Sequence, residues 1–321
     1  MITKPVMKRI RVAVVVMMAG LLVGCGSTDP RYSVEPPQIS FLPQGVTDPA
    51  DVPDETTVDE SCDPLASYEP VQDPDGPQQA RIKDRGRLIV GVDQTTYLLG
   101  YRDPLSGEMD GFDIRIARQI ALDLFGDEDA VQFKAMSSAE REPALQEQSV
   151  DLVVRSMTIN CTRWENVAFS TEYYRAGQKV LVPDTASDDP SDLVGEKVCS
   201  AEGSTSLRRI QQELNAIPVS VRDWADCMIL LQQGYVAGMS TDDVILAGMA
   251  AQDPNTKVIG ERISDEPYGV AANKNHIDLV RFVNATLERI REDGTWDDIY
   301  EATLKSTLGD ASPPPARYRD E

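Results

Sequence analysis

Two arginines and two hydroxyl side chains follow a short, valine-rich apolar run in the middle of the chain. The run is typical of a buried strand, and the polar residues after it are Arg155, Ser156, Thr158 and Arg163. A guanidinium offers a planar fork of donors that pairs with a carboxylate through two hydrogen bonds. The segment therefore predicts a site for a small carboxylate. The alternative is a pair of ordinary surface arginines at a strand end.

The elements that position this site are predicted to belong to an α/β sheet. Residues 87–92 form another buried strand, and Gln94 and Tyr97 lie in the loop after it. Ligands of open α/β sheets bind at the carboxyl ends of the strands, so this loop is a candidate pocket wall. Tyr97 then lies flat against a ligand's carbon chain, or else it is a surface tyrosine. Asp113 is predicted to cap the following helix.

A second candidate seat for a carboxylate lies after the predicted strand at 197–200. Gly203, Ser204 and Thr205 stand at a helix start, where free backbone N–H groups and the positive end of the helix dipole attract an anion. The alternative is a plain helix cap by Ser204. A further strand ends in Asp242, and its neighbour Asp243 is a competing candidate for the cap of the next helix.

Composition excludes several classes of function. The chain has 321 residues, more than one domain usually contains, so two lobes are expected. A net charge of −22 argues against nucleic acid as a partner. The single histidine, His276, and the absence of Cys-x-x-Cys argue against a metal site. Nucleotide-binding glycine loops, His-Glu-x-x-His and Gly-x-Ser-x-Gly are also absent, so neither a cofactor nor an enzyme is predicted.

The first 25 residues are predicted to be a lipoprotein signal peptide. Four basic residues precede the apolar run from Val12 to Val23, and the sequence Leu22-Val23-Gly24-Cys25 resembles the bacterial lipobox. Cys25 would then be the lipidated first residue of the mature protein, on the outer face of the cell membrane. The alternative is an uncleaved membrane anchor.

Residues 26–80 are rich in Pro, Asp and Glu, which predicts an extended tether, although Ile39–Leu42 and Cys62 indicate local docking. Residues 309–321 are predicted to be a flexible tail. The remaining cysteines, Cys62, Cys161, Cys199 and Cys227, allow three disulfide pairings. Assignment to lobes favours Cys199 with Cys227 and Cys62 with Cys161.

The central segment resembles the signature of solute-binding proteins for polar amino acids. In that signature Ser-x-Ser/Thr-Ile-Thr-x-x-Arg is followed by Phe-Ser and an aromatic pair, and here the matching residues are 156–163, 169–170 and 173–174. Residues 111–114, 141–145, 193–198 and 293–295 also stand in the family's order. The chain is identified as a member of extracellular solute-binding protein family 3, similar to glutamate- and glutamine-binding lipoproteins of high-GC Gram-positive bacteria.

This resemblance, which spans about 86–308, implies a two-lobed α/β fold of the periplasmic-binding-protein type II, with the ligand in the interlobe cleft. Lobe 1 is expected at 81–178 and 268–308, and lobe 2 at 179–267. The helix that closes lobe 1 is expected from His276 to Leu308.

The resemblance also implies the roles of individual residues. Arg163 takes the α-carboxylate of a free amino acid, helped by the N–H and hydroxyl of Thr205. Asp242 takes the α-ammonium, with Ser156 or Thr158. Arg155 replaces a small residue of many relatives and is expected to face the ligand's side chain.

A cation at that position favours glutamate or aspartate, because an amide ligand would leave the buried charge unpaired. Asparagine and glutamine are left open as further ligands. For Arg141, contact with the ligand's side-chain carboxylate and a structural role are left open.

The implied partner is an ABC-transporter permease, and the protein is expected to act as a monomer. Two other functions remain open. One is an amino-acid sensor that signals to a membrane receptor, and the other is a dehydratase on the same fold, for which the sequence offers no clear general acid.

Overall fold

Residues 42–52, 62–72 and 76–319 are described by the structure, a computed structural model. The signal peptide, Cys25 and most of the predicted tether lie outside these ranges. The helices are Pro77–Arg85 (α1), Phe112–Phe125 (α2), Arg141–Gln146 (α3), Cys161–Trp164 (α4), Thr205–Leu214 (α5), Trp224–Gln232 (α6), Asp243–Gln252 (α7), Ile277–Glu292 (α8), Thr295–Thr303 (α9) and Lys305–Leu308 (α10). The strands are Leu88–Val92 (β1), Thr95–Thr96 (β2), Gly100–Arg102 (β3), Met109–Asp110 (β4), Val131–Ala135 (β5), Leu152–Val153 (β6), Val167–Pro183 (β7), Lys197–Ala201 (β8), Ile217–Val221 (β9), Gly238–Asp242 (β10) and Thr256–Asn273 (β11).

Two long antiparallel strands, β7 and β11, run through both lobes. They pair from Asn273 opposite Val167 to Thr256 opposite Pro183, with irregularities near Gly269 and between Ile259 and Ser264. The main sheet has the order β5-β1-β6-β11-β7-β10-β8-β9. Strands β5, β1 and β6 therefore extend the shared pair in lobe 1, and β10, β8 and β9 extend it in lobe 2. The boundaries expected at 178/179 and 267/268 fall inside the two shared strands.

Each lobe has its own apolar packing around this sheet. In lobe 1, helix α2 buries Phe112 against Trp296, with ring centroids 5.7 Å apart, and Trp296 stacks on Tyr300. In lobe 2, helix α6 buries Trp224 and Cys227. The single helix expected from His276 to Leu308 is instead three helices, because Gly294 adopts a left-handed conformation (φ 85°) and ends the first of them.

The amino-terminal arm, residues 42–52 and 62–72, packs on the domain where a tether was expected. Thr47 pairs with Ser220 of β9, and the Ala50 N–H donates to the Pro218 oxygen at 2.8 Å. On lobe 1, Ser67 Oγ donates to the Phe169 oxygen at 2.7 Å. The tether prediction is therefore wrong for these two stretches apart from Leu42 and Cys62, where local docking was expected. Individual hydrogen bonds hold the other residues, and composition does not reveal them.

The carboxyl-terminal residues also dock where a flexible tail was expected. The Ser67 N–H donates to the Arg317 oxygen at 3.0 Å, and the Arg319 guanidinium lies 4.4 Å from the ring centroids of both Tyr68 and Trp164. The favoured cysteine pairs are the ones that form: Cys62 with Cys161 and Cys199 with Cys227, with Cα atoms 6.0 and 5.6 Å apart.

Candidate functional site

The loop after β6 is held by a buried carboxylate. Ser156 has a positive φ of 39°, which is costly for a residue with a side chain. Its N–H donates to Asp113 Oδ2 at 2.9 Å, and the Tyr173 hydroxyl donates to Asp113 Oδ1 at 2.7 Å. Burial raises the pKa of Asp113 to about 7, against the lowering effect of these hydrogen bonds. The predicted helix-cap role of Asp113 is wrong, since its side chain holds the loop that carries the site.

Arg163 lies in the short helix α4 and is buried. The side chain of Asn160 caps the start of this helix. Arg163 Nη1 donates to the Thr158 oxygen at 2.7 Å, and Nη2 reaches across the cleft to the Gly203 oxygen of lobe 2 at 3.1 Å. Glu142 is 3.5 Å away and 29% exposed, so this ion pair is loose. Burial lowers the pKa of Arg163 from its ordinary value. The guanidinium is thus placed at the junction of the two lobes.

Arg141 is buried, with 3% of its surface exposed, and among the described residues its hydrogen-bond acceptors are all backbone carbonyls. Its donors reach the carbonyl oxygens of Ser138 (2.9 Å), Arg155 (3.2 Å), Ser156 (3.3 Å) and Gly203 (3.2 Å). Within the described ranges no carboxylate forms an ion pair with it. Burial, with Arg163 and Arg155 nearby, lowers its pKa well below the usual value. This side chain has structural contacts, and the carboxylates that act on its charge, Glu142 and Asp242, lie beyond ion-pair distance.

Arg155 has the opposite surroundings. It is fully buried, its Nη2 lies 2.7 Å from Asp93 Oδ2, and it donates to the Met136 oxygen (2.7 Å) and to Ser138 Oγ (2.6 Å). The argument that an amide ligand would leave this charge unpaired is therefore wrong, because Asp93 already neutralises it. Arg155 therefore gives no reason to expect that the protein prefers acidic ligands.

Glu266 on β11 is the site residue that sequence reasoning missed. It is fully buried and accepts hydrogen bonds from Thr158 Oγ1 (2.7 Å), Thr205 Oγ1 (2.8 Å) and Ser264 Oγ (2.6 Å), and it pairs with Arg209. The expected help of the Thr205 hydroxyl toward a ligand carboxylate is therefore wrong, because its proton is directed to Glu266. An acidic residue next to the expected lobe boundary at 267/268 was the signal available in the sequence.

Asp242 lies at the end of β10 and is buried in the cleft. The Tyr268 hydroxyl donates to Oδ2, and Ser206 Oγ lies 3.5 Å from Oδ1. Burial and the nearby Glu266 charge raise the pKa of Asp242 to about 8. Its neighbour Asp243 instead pairs with Arg262 at 2.7 Å, away from the site. The two aspartates thus have separate surroundings, and Asp242 is the one that is buried in the cleft.

The start of α5 brings lobe 2 close to the arginines. Ser204 Oγ accepts from the Leu207 N–H at 3.2 Å, and the first-turn N–H groups of Thr205 and Ser206 have no acceptor within the helix. Gly203 has a φ of 73°, and a Cβ there would lie 2.7 Å from the Ala139 Cα of lobe 1. Glycine therefore permits this close approach. A cavity of about 360 Å³ opens beside it, lined by Arg163, Ser204, Arg208 and Asp51 among others.

Gln94 and Tyr97 are not brought into this cluster. Both side chains are exposed, and the Tyr97 ring packs against Tyr101 with centroids 5.1 Å apart. A role as a pocket wall stays a prediction for both. In the described ranges no group of three or more His, Cys, Asp or Glu side chains is arranged to hold a metal ion. No helix there is long and apolar enough to span a membrane.

The arrangement can bind a small zwitterion. The guanidinium groups of lobe 1 and the first-turn N–H groups of α5 can donate to a carboxylate, and Asp242 with the hydroxyl oxygens of Thr158 and Thr205 can accept from an ammonium. Comparison with known proteins agrees with this chemistry. Residues 88–305 match the family described as bacterial extracellular solute-binding proteins, family 3.

Two curated relatives carry amino-acid names. The ABC transporter glutamine-binding protein GlnH of Bacillus subtilis is 38% identical over 70% of this chain and 84% of its own. The glutamate-binding protein GluB of Corynebacterium glutamicum is 30% identical over 71% and 81%.

Among solved structures, the solute receptor for L-cysteine of Neisseria gonorrhoeae aligns with a TM-score of 0.68 at 27% identity, over 72% of this chain and 94% of that one. The family match covers well over half of the chain and includes the arginine cluster, β7, β11 and Asp242. The chain belongs to the bacterial extracellular solute-binding proteins of family 3, a family of binding proteins rather than enzymes.

Proposed function

We propose that this protein captures a free acidic amino acid, glutamate or aspartate, outside the cell for ABC-type uptake, and releases it unchanged. Arg163 and the first-turn N–H groups of α5 bind the α-carboxylate. Asp242, with Thr158, binds the α-ammonium. Arg141 binds the side-chain carboxylate of the ligand.

The observation that carries this proposal is the buried charge of Arg141. A buried cation without a counter-ion is costly, and pairing it with an anion removes that cost. An acidic amino acid supplies the missing charge, whereas an amide supplies only a dipole. Arg155 does not enter this argument, because Asp93 pairs with it.

The relatives support the size class of the ligand, since the names of two of them specify glutamine or glutamate. They also support uptake, because GlnH is named as part of an ABC transporter. Attachment through lipidated Cys25 on the outer face of the cell membrane is part of the proposal, supported by the lipobox-like sequence at 22–25.

Calorimetry with Arg141→Gln tests the ligand assignment. Loss of one charge-assisted contact is expected to weaken glutamate and aspartate about tenfold or more relative to glutamine and asparagine. Arg141→Lys keeps the charge and should retain part of the acidic preference. Arg222→Gln is the control, because the Arg222 side chain is 62% exposed and has only long ion pairs, with Glu140 at 3.5 Å and Asp223 at 3.8 Å, among the described residues.

Equal weakening of acidic and amide ligands by Arg141→Gln would contradict the assignment, as would wild-type protein that prefers amides. Crosslinking in the intact membrane tests uptake. A permease as the captured neighbour supports it, and a sensory receptor contradicts it.

A further inference from the structure

Glu266 occupies a position that connects the two lobes with the strand they share. Thr158 belongs to lobe 1, Thr205 and Arg209 belong to α5 of lobe 2, and Glu266 itself lies on β11. Its carboxylate is fully buried and has hydrogen-bonding partners on both oxygens. Oε2 accepts from the two threonines, and Oε1 accepts from Ser264 and pairs with Arg209.

These contacts fix the direction of two protons. A guanidinium can only donate, so Oε1 accepts from Arg209, and the ion pair makes Glu266 a carboxylate whose other oxygen, Oε2, also accepts. A threonine hydroxyl has one proton and two lone pairs. The proton of Thr158 and the proton of Thr205 both point to Oε2, at oxygen distances of 2.7 and 2.8 Å. Each hydroxyl is thereby left with lone pairs alone for any other partner.

The two hydroxyl oxygens therefore form an acceptor pair. They lie 3.5 Å apart, and Asp242 is a third acceptor in the same buried cluster, linked through Ser206 beside Thr205. A ligand group that meets this set must donate several hydrogen bonds. An ammonium has three donors and no acceptor, and it fits such a set.

We propose that Glu266 makes the site selective for an amine, by orienting the hydroxyl protons of Thr158 and Thr205 away from the ligand. Glu266 is a positioning residue that acts through the two threonines. The inference rests on the proposed function, because it requires an α-amino acid in the cleft. A dicarboxylate with no donor at Cα, such as 2-oxoglutarate or glutarate, leaves the acceptors unsatisfied and is rejected.

The test is calorimetry of the full mature chain with glutamate, 2-oxoglutarate and glutarate, comparing wild type with Glu266→Gln. A carboxamide can donate to the threonine oxygens, which frees their protons to point toward the ligand. The ratio of the glutamate affinity to the 2-oxoglutarate affinity is expected to fall about tenfold or more. A purely structural Glu266 would weaken the ligands by equal factors, and that result would overturn the inference.

A second pair of variants keeps the test valid if Glu266→Gln does not fold. Thr205→Val removes one acceptor at nearly constant shape and is expected to weaken glutamate while leaving any weak binding of glutarate unchanged. Thr205→Ser retains the hydroxyl and should bind glutamate nearly as wild type. Equal loss of both ligands in Thr205→Val would contradict the inference. Wild-type protein that binds no amino acid would contradict the proposed function itself, a result distinct from a lost amine preference.

Discussion

Arg155 and Arg141 are both buried in lobe 1 near the cleft, yet their electrostatic surroundings are opposite. Arg155 lies 2.7 Å from Asp93, whereas in the part of the chain that the structure describes Arg141 donates to backbone carbonyls and has no carboxylate at ion-pair distance. The aspartates divide in the same way, since Asp93 has a cation and Asp242 is held by hydroxyl groups. Burial alone therefore does not identify a ligand-binding charge. The useful sign is a buried charge whose partner the protein does not supply.

The largest expected effect comes from breaking the ion pair between Arg155 and Asp93. Arg155→Met leaves Asp93 buried without its cation and is expected to lower the free energy of unfolding by about 3–5 kcal/mol. Urea unfolding without ligand measures this. A double variant that also carries Asp93→Asn should recover a good part of the loss, because no uncompensated charge remains. A loss below 1 kcal/mol in the single variant would show that the pair is not structural.

The electrostatic surroundings of Arg163 are intermediate between those of Arg155 and Arg141, because its ion pair with Glu142 is loose, at 3.5 Å. Arg163→Ala is expected to weaken amino-acid binding about 100-fold or more, since it removes a two-pronged contact to the α-carboxylate. Calorimetry measures the affinity, and circular dichroism shows whether the fold is retained. Near-normal affinity in a folded variant would exclude Arg163 from carboxylate binding.

A smaller effect on stability is expected from Asp242, which has hydroxyl partners but no ion pair among the described residues, and this effect depends on pH. The folded pKa of Asp242 is about 8, above the ordinary value of 3.8. Between these values the folded, ligand-free protein holds a proton that the unfolded chain has lost, so stability falls as pH rises through this window. Asp113, with a pKa of about 7, acts in the same direction.

Asp242→Asn should therefore reduce the loss of stability between pH 5 and pH 8, while weakening glutamate about 10- to 100-fold. Thermal unfolding at the two pH values measures the first effect, and calorimetry measures the second. An unchanged pH dependence would mean that Asp242 is already ionised in the free protein.

Much of the fold was predictable because it depends on local pattern and order. The strand before Arg155, the two-lobed α/β class and the favoured cysteine pairs agree with the structure. The pair of Arg155 and Asp93 was within reach, since β1 and β6 are parallel neighbours whose carboxyl ends meet. Predicting it requires the order of the strands as well as the positions of the charges.

Other features depend on contacts distant in sequence. Glu266 accepts a hydrogen bond from Thr158, which lies 108 positions away in the sequence. Asp113 accepts one from the Ser156 N–H, which lies 43 positions away. Periodicity and composition carry no information about such pairs. The docked arm was missed for a related reason, because a segment poor in apolar residues can still be held by backbone hydrogen bonds.

The arm has one more effect on the molecule. Strand β9 is the outermost strand of the sheet on the lobe 2 side, and such a margin offers bare N–H and C=O groups to any passing strand. Thr47 and Ala50 use part of that margin, and the Asp48 carboxylate next to them pairs with Lys197. The amino-terminal arm thus shields the β9 edge from edge-to-edge pairing with other copies of the protein.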